Sequence, residues 1–216
     1  MAEEEKIIHY YRKTETSHSL LPSCKEQLSS LGMTEDAAKI TGIETESCFN
    51  VQLRTELSGI QKDRLEWLLA ETFEKDHLQL EQSFFDSSEN VWQVEFGPRM
   101  TFTSAFSSNA CSICQACDIP VERLELSRRY RFLLGASLSD EAIAALKSML
   151  HDRMTEEEYT KALTTFDNGQ QPVPVITVPI MEQGRAALER INEERGLGFD
   201  DFDLDDYTKL FQVRYT

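Results

Sequence analysis

Residues 91–96 alternate without a break: Trp92, Val94 and Phe96 on one side, Val91, Gln93 and Glu95 on the other. A period of two reads as a strand with one buried face, and Gly97-Pro98 ends it. A polar loop follows, carrying Arg99, Thr101, Thr103 and Ser104, and then Ser107, Ser108 and Asn109, which are residue types that cap helices. A helix is expected over 107–117 and a long strand over 121–134. Helices that alternate with strands need a sheet face to cover.

The rest of the first 134 residues fits that frame. Strands are expected over 6–12, over 43–53 (Phe49, Val51 and Leu53 on one face) and over 76–84 (Leu78 and Leu80 inward). A helix is expected over 23–38, with Leu28 and Leu31 as apolar points. Another, with Leu65, Leu68, Leu69 and Thr72 at helical spacing, follows the Ser58/Gln61 capping box. The order reads β-α-β-α-β-β-α-β. The turn at 86–90 places 76–84 and 91–96 close enough for a hairpin, so the sheet is expected to be mixed or antiparallel. The fold class is α+β, with helices packed on one face. No internal repeat is visible.

After residue 135 the pattern changes. Ser139 can cap a helix bearing Ile143, Leu146, Met149, Leu150 and Met154. Residues 167–179 are irregular and rich in proline. Gly184, Ala187, Leu188 and Ile191 mark a second helix, stopped by Gly196, and Asp203 can cap a third with Leu204, Tyr207 and Phe211. Each has an apolar stripe but no evident shared core, so these segments are expected to lie on another surface. The expected division is an N-terminal domain, 1–135, and a linker, 136–216.

The formal net charge is -16, which repels nucleic acid and anionic membrane. No apolar run approaches the ~20 residues of a membrane span. The acidic N-terminus lacks the features of a signal peptide, so a cytoplasmic protein is expected. Charge is uneven: four arginines fall in 123–131, while 182–206 are strongly acidic. In the strand over 121–134, Arg129 and Arg131 share the outward face. Arg128 has inward parity, so it needs a bulge or a partner.

Two readings compete around residue 110. Cys111, Cys114 and Cys117 superficially suggest part of an iron–sulfur ligand run. On a helix, however, they span a stripe only about 120° wide, as small side chains packed on a sheet would. Five cysteines without a secretory signal do not suggest a disulfide framework. The loop reads either as a capped connection with a solvated arginine or as an anion site made by Arg99 and the helix N-terminus. His151 and Asp152 are adjacent and do not form a ready catalytic pair. No phosphate-binding glycine motif, nucleophile elbow or zinc-protease motif occurs.

The blocks VEFGPRMTFTSAFSSNACSIC, VERLELSRRYRF, LHDRMTEEEY and EQGRAALERINEERGLGFDDFDLDDYTKLFQ resemble, in order and spacing, the N-terminal part of the large single-chain phosphoribosylformylglycinamidine synthases. The resemblance reaches to about Gln212, and the first 90 residues match more loosely. It implies an N-terminal domain like a fused pair of the small subunit of the bacterial three-component enzyme, then a largely extended linker. Synthetase and glutaminase domains come after these in the family and would be this chain's partners. The family's ATP, magnesium and glutaminase residues lie in those domains, so no cofactor, metal ligand or catalytic residue is expected in these 216 residues. The resemblance implies that Arg99, Thr103, Ser104, Ser107, Ser108 and Asn109, with Arg153 as a further candidate, face the substrate side. The alternative is a non-catalytic interaction module. The closing Val213-Arg214-Tyr215-Thr216 departs from the family pattern.

Overall fold

The computed structural model describes residues 7–87, 89–169 and 173–214. Lys6, where the first expected strand begins, lies outside them. The chain divides into two compact units, the first ending at Asn168 and the second starting at Gly169.

The first unit is built on β1 (Ile7–Lys13), α1 (Leu20–Ser30), α2 (Thr34–Lys39), β2 (Ile40–Leu53), α3 (Gly59–Leu69), β3 (Leu78–Leu80), β4 (Val91–Pro98), α4 (Ala105–Ala116), β5 (Val121–Leu134), α5 (Asp140–Leu150) and β6 (Glu156–Glu158). The strands form one six-stranded sheet in the order β3-β1-β2-β5-β4-β6. Every pairing is antiparallel. The sheet is thus antiparallel rather than mixed.

Alternation places Tyr10, Phe49, Val51, Leu124, Tyr130, Phe132, Val94 and Phe96 on one face. All five helices cover it. Cys24 and Leu28 of α1, Ala37 of α2, and Ala142, Leu146 and Leu150 of α5 pack on its Val94–Phe132 end. Leu65 and Leu69 of α3 and Cys114 of α4 pack on its Tyr10–Leu124 end. The fully buried leucines among them, Leu28, Leu65 and Leu146, each contribute roughly 1.5–3 kcal/mol.

Several expectations are corrected. The 23–38 segment is two helices, because Gly32 turns at φ 81° between α1 and α2. Leu31 is therefore exposed rather than inward. Only Leu78–Leu80 of 76–84 is strand, and it pairs with β1, four places from β4 in the sheet, so no hairpin forms. The left-handed Glu81 (φ 56°) ends that strand. Ser83 and Phe84 then turn onto the other sheet face, donating to the Glu46 carboxylate at 2.7 and 2.8 Å. α5 ends at Leu150, which leaves Met154 outside it and exposed. The boundary expected at 135 falls inside the first unit, because α5 and β6 complete its core and its sheet edge.

The structure also contains a repeat that the sequence hides. The run β1-α1-β2-α3 recurs as β4-α4-β5-α5. β2 and β5 are both 14 residues long and start at 40 and 121; α3 and α5 are both 11 long and start at 59 and 140, a shift of 81 each time. Tyr10 opposite Phe49 corresponds to Val94 opposite Tyr130. The N-caps correspond too, Ser19 with Ser104 and Ser58 with Ser139. Ser47 and Arg128 face each other across the central pair and are themselves equivalent (47 to 128). The two halves are related as by a two-fold axis through that pair.

The second unit contains α6 (Ile180–Gln183), α7 (Arg185–Arg195) and α8 (Asp201–Arg214). Ile180, Leu188 and Leu204 bury one another, so these helices do share a small core. Gly196 ends α7 in the left-handed region, at φ 61°. Asp203 does not stand at the N-cap of α8. Its carboxylate accepts from Asp200 N–H at 3.2 Å while the Asp200 carboxylate accepts from Asp203 N–H at 2.9 Å, so Asp200 is the cap and Asp203 its partner. Among the described residues no helix is long and apolar enough to cross a membrane.

Candidate functional site

The expected site residues divide into three groups. Ser104 and Ser107 are structural. Ser104 is the N-cap of α4, one turn earlier than expected, and its hydroxyl accepts from Ser107 N–H at 3.0 Å. The buried Ser107 hydroxyl in turn accepts from Leu124 N–H at 3.3 Å, satisfying part of the β5 edge that β4 does not reach. Glu125, fully buried, sits against the same helix start. Its carboxylate accepts from Ser104 N–H at 3.1 Å and from the Ser104 hydroxyl at 2.5 Å. The protein's own carboxylate therefore takes donors that an outside anion would use.

Thr103, Ser108 and Asn109 are exposed on the first turn and the loop before it. The Ser108 hydroxyl donates back to Ser104 O at 3.2 Å. The third group is a cationic corner. Arg99, just past β4, donates through Nη2 to the backbone carbonyl of Arg153 at 2.9 Å, and both residues are exposed. The corner is rigid. Arg99 N–H donates to Thr155 O at 3.0 Å, and the Tyr159 hydroxyl donates to Pro98 O at 2.6 Å. Gly97 is required there, since any Cβ would overlap the Tyr159 ring.

The cysteine stripe packs as helix geometry suggests. Cys114 is buried in the apolar cluster, Cys111 and Cys117 lie against it, and burial pushes the Cys114 thiol up to about 11. Arg128 resolves its parity by pairing with Glu156 of β6, both contacts at 2.7 Å. His151 stacks on Phe96, centroids 4.4 Å apart, which gives it a packing role.

The principal feature not anticipated is the second face of the sheet. Its side chains are polar, yet His9, Glu46, Asn50, Gln52, Glu125, Ser127 and Arg131 are buried. Arg129 lies between the Glu46 and Glu95 carboxylates and beneath the rings of Tyr11 and Phe85. Arg131 pairs with Glu44 and Asp86. Burial raises the Glu95 pKa, opposed by a hydrogen bond from Ser127 and by the charge of Arg129. Cys48, His9 and Asn50 also meet here, but the thiol and the amide both approach the same ring atom, His9 Nδ1, at 3.9 and 3.0 Å. A nucleophile–base–orienter chain uses opposite ring nitrogens, and burial pushes the Cys48 thiol up. The trio is a packed polar cluster, not an activated nucleophile. The signal for this face was present in sequence as the run Glu44, Glu46, Cys48, Asn50, Gln52 at alternate positions.

Together these observations define an antiparallel α+β domain with an internally repeated element order, a buried polar sheet face and a corner of exposed arginines, and a separate small helical unit. The chain belongs to the formylglycinamide ribonucleotide amidotransferase N-terminal family, whose model matches residues 46–166. It is 41% identical over 213 residues to a Dictyostelium discoideum phosphoribosylformylglycinamidine synthase, covering 95% of this chain and 15% of that protein. A probable chloroplastic/mitochondrial phosphoribosylformylglycinamidine synthase of Arabidopsis thaliana is 40% identical, with the same coverages. The human phosphoribosylformylglycinamidine synthase is 36% identical over 178 residues, 81% of this chain and 13% of that protein. The chain thus spans about one seventh of the length of the relatives it matches.

Proposed function

We propose that this chain is the N-terminal part of a purine-biosynthesis ligase that converts formylglycinamide ribonucleotide, glutamine and ATP to the amidine. Within it, residues 1–168 brace the synthetase domain and border the path of substrate and ammonia. The carrying observation is the match itself, which extends along 95% of the chain but only 15% of the Dictyostelium relative. That match favours this reading over an interaction module. The internal two-fold supports a fused pair of small-subunit-like halves.

The Arg99–Arg153 corner supports a substrate-side role, because it brings two exposed arginine residues to one turn at the end of β4 in a chain of net charge -16. Guanidinium groups there would meet a phosphate of the ribonucleotide. Ser104 and Ser107 shape the loop from within, and Thr103, Ser108 and Asn109 offer hydroxyl and amide contacts beside it. ATP and magnesium belong, on this reading, to the other domains. Among the described residues no three His, Cys, Asp or Glu side chains converge as metal ligands. The purified chain is expected to hydrolyse neither ATP nor glutamine. Measurable turnover in either assay would overturn the reading.

A further inference from the structure

A cavity of about 410 Å³ opens beside the first turn of α4, lined by Gln52, Thr103, Ser108, Glu122, Arg123 and Phe166 among others. That volume is in the range of small-molecule sites. Its charges are already compensated. Arg123 donates to Glu125 at 3.0 Å and to Phe102 O at 2.6 Å, and its guanidinium lies 4.5 Å over the Phe166 ring. Glu122 pairs with Arg54 at 2.5 Å.

The exception is Gln52. It is only 8% exposed, and its side-chain amide makes no hydrogen bond among the described residues. Its amide atoms are not among the enclosed, unbonded ones, so the amide end opens to the cavity while the rest of the side chain is buried. Gln52 stands on β2 opposite Arg123, on the polar sheet face, so its amide group is held by the strand rather than by a loop. A fixed amide without a partner in a polar cavity points to a ligand that supplies the complement.

We propose that this cavity binds a small neutral molecule through an edge carrying an adjacent hydrogen-bond donor and acceptor, received by the Gln52 carboxamide. The pairing is the one by which a glutamine reads an adenine edge or another carboxamide. Phe166 supplies an apolar wall, and Thr103 and Ser108 supply hydroxyl contacts at the mouth. A free anion is disfavoured, because Arg123 is committed to Glu125 and Glu122 adds negative charge. The site shares Thr103 and Ser108 with the loop discussed above, but it is centred on Gln52 and would take its ligand in the isolated chain.

The test is a titration of the isotope-labelled chain with adenosine, with nicotinamide and with inorganic phosphate, following the Gln52 side-chain NH2 signals by NMR. Adenosine or nicotinamide is expected to shift those signals saturably, and which one does so separates a nucleobase edge from a simple carboxamide. Gln52→Leu is expected to weaken that binding at least tenfold, and the exposed Thr103→Val severalfold with the fold intact. The proposal fails if neither neutral probe gives a saturable shift, or if phosphate alone does.

Discussion

Glu125 is a carboxylate with no exposure to solvent, and it is stable there because three donors reach it: Ser104 N–H, the Ser104 hydroxyl and Arg123. Ser104→Ala removes the α4 cap and one of those donors. It is expected to cost about 1–3 kcal/mol in denaturant unfolding. Glu95 makes a pH-dependent prediction. Burial raises its folded-state pKa, so the folded chain binds this proton more tightly than the unfolded one. Its contribution to stability is therefore complete below the ordinary carboxylate pKa of about 4.3 and is lost as pH rises through the raised value. Measured across that window, the stability of Glu95→Gln relative to wild type is expected to improve as pH rises. A difference that moves the other way would contradict the assignment. Asp36, held below its usual range by Lys39 and Ser139, acts in the opposite sense and loses its contribution as pH falls.

At the scale of elements, what was legible followed periodicity and capping chemistry. β4, β5, the Ser58/Gln61 box and the Ser139 cap of α5 stand where the pattern placed them, because each is set by its own residues. What was not legible depended on partners distant in sequence. β3 joins β1 rather than β4 because 81–87 are drawn over the polar face by Glu46 and Arg131, and no local pattern announces that. The polar face itself looked like a solvated surface, since alternate charged residues read the same whether water or other side chains meet them. The site residues divided for the same reason: capping serines were visible as a type, but Glu125 as their partner was not. Gly97 reads in sequence as a strand-ending residue, whereas in the structure it is also a place of close approach, made by the Tyr159 ring. Gly97→Ala forces that ring or the β4–β6 edge to move. It is expected to cost about 1–3 kcal/mol, read as a lowered thermal midpoint.

At the scale of the whole molecule, the duplication explains how about 168 residues hold a single sheet without parallel crossovers: two similar halves meet at β2 and β5 in a long antiparallel pair. The repeat is not visible in sequence because equivalent positions need only matching burial, as Phe49 and Tyr130 show. The surface is asymmetric on that repeated frame, since Arg99 follows β4 whereas Thr14 follows β1. On the proposed function, the chain completes a larger ligase and does no chemistry alone. The direct test replaces the matched segment of the Dictyostelium enzyme with this chain and measures glutamine- and ATP-dependent amidine formation. The chimera is expected to be active, and Arg99→Ala or Arg153→Ala within it to lower kcat/KM for the ribonucleotide about tenfold, roughly 1.4 kcal/mol, with the circular dichroism unchanged. A folded chimera without activity, or one indifferent to both arginines, would contradict the account.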